Sequence, residues 1–391
     1  MHSRRAALRL VTVLAILLLR TVNVEAAPPA NSAVQLERVP EGGIQPQAAV
    51  GSDGTVHLVY YKGEASGGDL YYCRRAPDVA QFSDPVRVNS TPGSAIAAGT
   101  IRGAQIALGR DGRLHVVWNG SNRAEPRGPG KATPLLYTRL GDDGARFEPE
   151  RNVITNAYGL DGGATLGADA QGHVYVAWHA GTGRGEESRR VWMVRSTDDG
   201  ATFDAERAID VHRVGACGCC GMKGTVAPDG AVMFLYRSAK PATQRDMYLL
   251  TSIDQGQSFT SRKLQAWEIG TCPMSSEAFA HAGSQSWGAW ETDEQVYVAR
   301  LDGDAGEAAK PRSAPGSAAR RKHPALAVNG RGELLMVWTE GTGWNKGGGL
   351  AWQQFDAQGR PTDIRGREPG VPVWSFATPC ARPDGSFVIL Y

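Results

Sequence analysis

Sulfur is the most unusual chemistry this chain carries. Four of its six cysteines stand in two short stretches: Cys217, Cys219 and Cys220 with Met222, and, further on, Cys272 with Pro273 and Met274. Such a set can do one of two things. In an oxidising compartment it forms disulfides that pin two loops together, with Cys272 bonded to one of the other three. Adjacent Cys219 and Cys220 are poor partners for each other, because the ring they would close is strained. Alternatively, thiolates and thioethers make a soft site for Cu(I), or four sulfurs hold zinc. The C-x-C-C spacing is not that of a zinc knuckle, so disulfides are favoured over copper or zinc, and one disulfide beside a reactive thiol pair is a third arrangement.

The N-terminus bears on which compartment applies. Arg4 and Arg5 precede an apolar run from Leu10 to Leu19, and small residues follow near Ala26. That run is too short to span a bilayer and reads as a secretory signal over residues 1–26, leaving 27–391 as the mature domain. The paired arginines resemble a twin-arginine leader, although an ordinary export signal is favoured. The expected location is the periplasm or the exterior, with no membrane attachment after cleavage. The charges, 42 basic against 40 acidic residues, balance to +2 without long runs of either sign. This excludes nucleic acid as the expected partner.

The elements that must hold these loops are strands. A short apolar strand ending in Trp or Tyr returns at Tyr60, Trp118, Trp178, Tyr236, Trp290, Trp338 and Tyr391. The interval is about 55 residues, the length of a four-stranded propeller blade. In the third unit, residues 163–167, 173–178, 191–196 and 205–210 are the expected four strands. No sustained helical periodicity occurs. The chain is expected to be all-β, a single-domain β-propeller of four-stranded blades, with seven blades favoured over six. Residues 33–39 would complete the last blade and close the ring. That closure would place Cys73 and Cys380 on adjacent blades, where a structural disulfide is expected. The segment from Gly303 to Ala319, rich in Ala, Gly and Pro, is expected to be a surface excursion.

Between the third and fourth strands of two units lies a corner of the form S-x-D-x-G-x-T/S-F. Its copies are Ser196, Asp198, Gly200, Thr202, Phe203 and Ser252, Asp254, Gly256, Ser258, Phe259, with a partial copy at Asp142, Gly144 and Phe147. The polar side chains can bond nearby backbone, the glycine supplies a left-handed conformation, and the ring packs beneath. This corner resembles the Asp-box, or BNR, repeat of the sialidase-like β-propeller superfamily. With its cysteine cluster, the chain most resembles uncharacterised bacterial members of that superfamily.

In propellers, function gathers where inner strands open onto the central channel. Those entrances carry Gln45 and Gln47, Arg102 and Gln105, Asp161, the stretch from Cys217 to Lys223, that from Cys272 to Glu277, Arg321 with His323, and Trp374. The resemblance implies a glycan or other small anionic ligand, acted on by an exo-glycosidase-like site in a monomer. Arg102, Arg237 and Arg321 would hold the anionic group, Gln105 and His323 would contact the ligand, and Asp161 and Glu277 would be the catalytic carboxylates. Sialidases carry Arg-Ile-Pro on the first inner strand, whereas this chain has Ile44, Gln45 and Pro46. The expectation is therefore a glycan site other than a true sialidase. Two alternatives stand beside it: a non-enzymatic copper-, zinc- or thiol-binding propeller built on Cys217, Cys219, Cys220 and Cys272, and a protein-binding scaffold. His57 and His115 occupy equivalent places in their strands and are expected to be structural. Arg245 and Asp246 are expected to form a structural ion pair.

Overall fold

The structure is a computed structural model that describes residues 33–391 apart from 182–184, 303–309 and 318–319. The proposed signal segment and part of the Ala/Gly/Pro-rich stretch lie outside the described residues. Residues Ala33–Tyr391 form one compact unit of seven small sheets, six with four antiparallel strands and one with three. The inner strands, in chain order, are Ile44–Val50, Gln105–Leu108, Ala164–Ala168, Lys223–Val226, Glu277–Ala282, Arg321–Val328 and Thr378–Ala381. They define blades 1 to 7.

The ring closes through its two ends. Val34–Glu37 pairs in parallel with Phe387–Leu390, so the first strand of the unit is the third strand of blade 7. Blade 3 follows the expected parsing closely, with strands Ala164–Ala168, Val174–Ala180, Arg190–Ser196 and Arg207–Ala208.

Side-chain alternation builds the core. Successive residues of a strand point to opposite faces, and each blade is covered on both faces by its neighbours. In the second strand of blade 2, Val116 and Trp118 pack toward blade 1 while Val117 packs toward blade 3. The core accordingly divides into seven apolar clusters, one between each adjacent pair of blades. The recurring aromatics that end the second strands are all buried.

The Asp-box corners are locked as their composition requires. Ser196 Oγ accepts from the Gly200 amide at 2.8 Å and donates to Asp198 Oδ1 at 2.7 Å, while Asp198 accepts from the Thr202 amide and hydroxyl. Gly200 sits at φ 76°, where a side chain would be strained. The second corner repeats these bonds from Ser252 to Ser258. Phe203 packs edge-on against Tyr137 of the preceding blade, and Phe147 of the partial copy does the same with Tyr72. His57 and His115 each bond a tyrosine hydroxyl on the neighbouring strand, confirming them as repeated structural residues. Arg245 and Asp246 do not pair with each other. Arg245 bonds Glu186, and Asp246 bonds Lys263 and the Trp267 amide.

Candidate functional site at the channel mouth

All seven inner strands contribute to a central cavity of about 460 Å³, and a second hollow of about 210 Å³ opens among the entrance loops above it. The strand entrances converge because each blade presents the same edge to the axis. What fixes their loops is a single recurring position, the residue directly after the buried aromatic of the second strand. In blades 2 to 5 these residues are Asn119, His179, Arg237 and Glu291, all buried, and each reaches the entrance of the next blade. Asn119 donates to the Gly162 carbonyl at 2.8 Å, His179 Nε2 to the Cys220 carbonyl at 3.0 Å, and Arg237 Nε to Ser275 Oγ at 2.9 Å. Glu291 pairs with Lys322 Nζ at 3.0 Å.

These links hold an unusual number of ionisable groups away from water. Burial holds the Glu277 carboxyl well above its ordinary 4.5, against the pull of Arg237 and Lys223. Neither of its oxygens has a hydrogen-bond partner in the protein. Burial also raises Glu291 to about 7, with Lys322 opposing. Lys223 crosses the channel from blade 4 to donate to Gln105 of blade 2 and Gln47 of blade 1, and burial lowers it to about 8. His323 lines both hollows and contacts Ser276 Oγ through Nδ1. Burial, with Lys322 beside it, brings it to about 3, so its imidazole is neutral at pH 7. It can accept or donate a hydrogen bond there but carries no charge.

Above this floor the mouth is mixed. Arg102 donates to the Asp161 carboxylate at 2.8 Å and to its carbonyl at 2.6 Å. Trp344 is 66% exposed and meets Trp374 edge to face at 4.7 Å. A Cβ placed on Gly99 would touch Met274, Arg102 and Trp344 together, so these groups share one wall. Gln45, Thr100, Met274, His323 and Trp374 all have positive φ. Such backbone persists where the surroundings over-determine it.

The cysteine loop is part of the same structure. Cys219 is bonded to Cys272, joining the entrances of blades 4 and 5 as the disulfide expectation required. Cys217 Sγ lies 2.9 Å from Cys220 Sγ and 3.6 Å from Cys219 Sγ. These two thiols are free. Burial opposes ionisation of Cys220, but the bond with Cys217 and the charge of Arg237 outweigh it and lower its pKa, while the same bond raises Cys217. The three sulfurs lie within 4.8 Å of one another. With Cys219 spent on Cys272, however, the loop offers two thiols, short of the four sulfurs of a closed zinc site.

The structure separates other expected residues. The three arginines do not converge. Arg102 is at the mouth, but Arg237 is enclosed over the Trp267 ring, its guanidinium bonded to Ser275, Arg245 and Thr292. Arg321 is wholly buried and bonded to Ala314, Pro315 and Gln295, with Glu340 at 3.3 Å. Gln45, at the place of the missing arginine, clasps neighbouring loops through the Ala97 and Trp374 carbonyls. Cys73 and Cys380 do share an apolar cluster between blades 7 and 1, but both are free thiols rather than a disulfide. Sequence reasoning passed over Glu291 and Trp344. Glu291 was readable as the residue after Trp290, whereas nothing in the pattern marks Trp344, which stands in a connecting loop.

No family model matches the chain, and no curated protein matches it. Solved structures do resemble it. An α-L-arabinanase of Penicillium chrysogenum, complexed with arabinobiose, is 13% identical over 82% of this chain and 95% of its own, with a TM-score of 0.53. A leech intramolecular trans-sialidase complexed with 2,7-anhydro-Neu5Ac is 8% identical over 89% and 86%, at 0.50. A protein of unknown function from Dyadobacter fermentans is 14% identical over 78% and 93%, also at 0.50. At these identities the likeness is one of fold, a β-propeller.

Proposed function

We propose that the chain is an exported saccharide-binding propeller whose ligand rests at the channel mouth. The observation that carries this is the exposed Trp344, set edge to face on the half-buried Trp374 and standing beside the Arg102–Asp161 pair over a polar channel. Aromatic faces take up the apolar side of a sugar ring, and a few placed polar groups orient its hydroxyls. Arg102, with Lys322 and Lys346 lining the upper hollow, suits a sugar that carries an anionic group. Support also comes from fold neighbours that hold sugars, the arabinanase with arabinobiose and the trans-sialidase with 2,7-anhydro-Neu5Ac. Calorimetric titration with neutral and acidic oligosaccharides tests the proposal. Trp344→Ala is expected to weaken the best ligand by about tenfold or more, as for a central aromatic anchor. Equal binding by wild type and Trp344→Ala would overturn it.

A hydrolytic role is favoured by one specific observation, that burial raises the Glu277 carboxyl well above its ordinary 4.5 in the channel wall while both its oxygens stand unpartnered. A carboxylic acid in that state can donate a proton to a leaving oxygen, with Asp161 as the second carboxylate. Glu277→Gln should then abolish turnover of a bound glycoside while leaving its affinity in place. Turnover equal to wild type would remove Glu277 from the reaction.

A further inference from the structure

We infer that the clustered cysteines form a thiol–disulfide exchange site, in which one disulfide migrates between the outward Cys219–Cys272 position and the buried Cys217–Cys220 position. Two observations carry this. The first is contact: Cys217 Sγ stands 3.6 Å from Cys219 Sγ and 2.9 Å from Cys220 Sγ, so one thiol touches both the bond it would break and the partner it would take. The second is graded exposure. Cys272 is exposed and Cys219 half-buried, whereas Cys217 and Cys220 are each 1% exposed. Electrons can thus pass between the interior and a sulfur that meets solvent. A purely structural staple needs only the first disulfide. The two further thiols have no such role, and they differ from Cys73 and Cys380, which sit among valines and leucines with no disulfide beside them.

The exchange is balanced within the chain. Cys217 gives up its proton to water and attacks Cys219 Sγ as the thiolate. A Cys217–Cys219 bond forms, the Cys219–Cys272 bond breaks, and the electron pair leaves on Cys272, which takes a proton from water. Cys220 then loses its proton and attacks Cys217 Sγ. The Cys217–Cys220 bond forms, and the pair leaves on Cys219, which is protonated in turn. One disulfide and two thiols are present before and after, so no outside oxidant is used. The Cys217-x-x-Cys220 spacing is one at which a disulfide can close. The product is a dithiol facing the mouth, and its substrate class is a disulfide carried by another molecule. Cys219 and Cys272 reduce that disulfide to two thiols as their own bond re-forms.

Differential alkylation of the folded chain tests this without any variant. The protein is held in iodoacetamide under native conditions, quenched in acid, unfolded, labelled with N-ethylmaleimide and mapped by mass spectrometry. Time-dependent carbamidomethylation of Cys272, matched by appearance of a Cys217–Cys220 disulfide, is the expected result. An intact Cys219–Cys272 bond throughout, with Cys217 and Cys220 labelled only after unfolding, would overturn it. Cys220→Ser should stop the exchange at a Cys217–Cys219 bond with Cys272 alkylated, and Cys217→Ser should prevent it. Exchange in Cys217→Ser at the wild-type rate refutes the assigned order. So does a purified chain carrying an equivalent of copper or zinc on four free thiols.

Discussion

Replacing Glu291 by glutamine isolates one buried charge under the mouth, and its effect can be worked from the structure. Folding raises this carboxyl from 4.5 to about 7, chiefly by burial. An acid raised in this way binds its proton more tightly in the folded state. Its contribution to stability is fully present below 4.5 and is lost as pH rises through about 7. Each pH unit of difference corresponds to about 1.4 kcal/mol, so the loss amounts to about 3 kcal/mol, most of it between pH 5 and 8. Glutamine keeps the volume and cannot ionise. The stability of Glu291→Gln relative to wild type should therefore shift in favour of the variant across that window. Neighbouring groups do not mimic the effect. Burial lowers His179 to about 4 and His323 to about 3, which makes stability rise with pH up to their ordinary 6.5, and both proteins share that trend. Glu277 titrates with the same sign as Glu291 and is partly raised by its charge, so its own contribution shrinks in the variant and adds to the shift. Denaturant midpoints for both proteins at half-unit steps from pH 5 to 8 give the comparison. Parallel curves would mean that Glu291 does not titrate in the fold and that its pairing with Lys322 outweighs burial.

Two further substitutions probe the frame that positions the site. Ser252→Ala leaves the buried Gly256 amide without its acceptor at 2.8 Å, and should cost about 1–2 kcal/mol by denaturant titration with ligand affinity unchanged. Gly162→Ala places a methyl 2.3 Å from the Gly218 carbonyl and 2.6 Å from that of Cys220. Backbone cannot yield as a side chain can, so stability should fall by about 1–3 kcal/mol, and peptide mapping should find faster native alkylation of the cysteine loop. An unaltered alkylation rate would show that Gly162 and the loop are not packed as described.

The fold was legible because a propeller writes its period into the chain. An aromatic at the end of each second strand must fill the gap between two wedge-shaped blades, and its return from Tyr60 to Tyr391 marks the blades one by one. The Asp-box was readable from composition because its bonds are local, running from Ser196 to residues two and four places on. The Cys219–Cys272 bond was reachable for a different reason: both residues precede inner strands of adjacent blades. Roles that depend on where a long side chain ends were not legible. Arg237 and Arg321 stand in strands next to the entrances, yet each guanidinium turns into the protein toward carbonyls and hydroxyls that no pattern reveals. Cys73 and Cys380 show the converse limit, since adjacency of blades brings two thiols into one cluster without bonding them.

The residue after each aromatic explains why chemistry collects at this face. In blades 2 to 5 it stands at the end of the second strand or one residue before it, so a polar side chain there must bridge to the neighbouring entrance or be left unsatisfied. A small apolar residue there would leave the loop untethered. A polar residue ties it, but only by bringing a donor, an acceptor or a charge into the interior. In blade 2 the tie is a neutral amide and in blade 3 a neutral imidazole, whereas blades 4 and 5 use Arg237 and Glu291. It is at the entrances of blades 4 and 5 that Glu277 and Cys220 are found, each feeling the charge of these ties. Charges buried to hold loops in place also set the protonation of the groups beside them. In this ring, the ties that close the loops of blades 4 and 5 thus also act on the ionisation of groups beside them: Arg237 opposes the burial of Glu277 and favours the Cys220 thiolate.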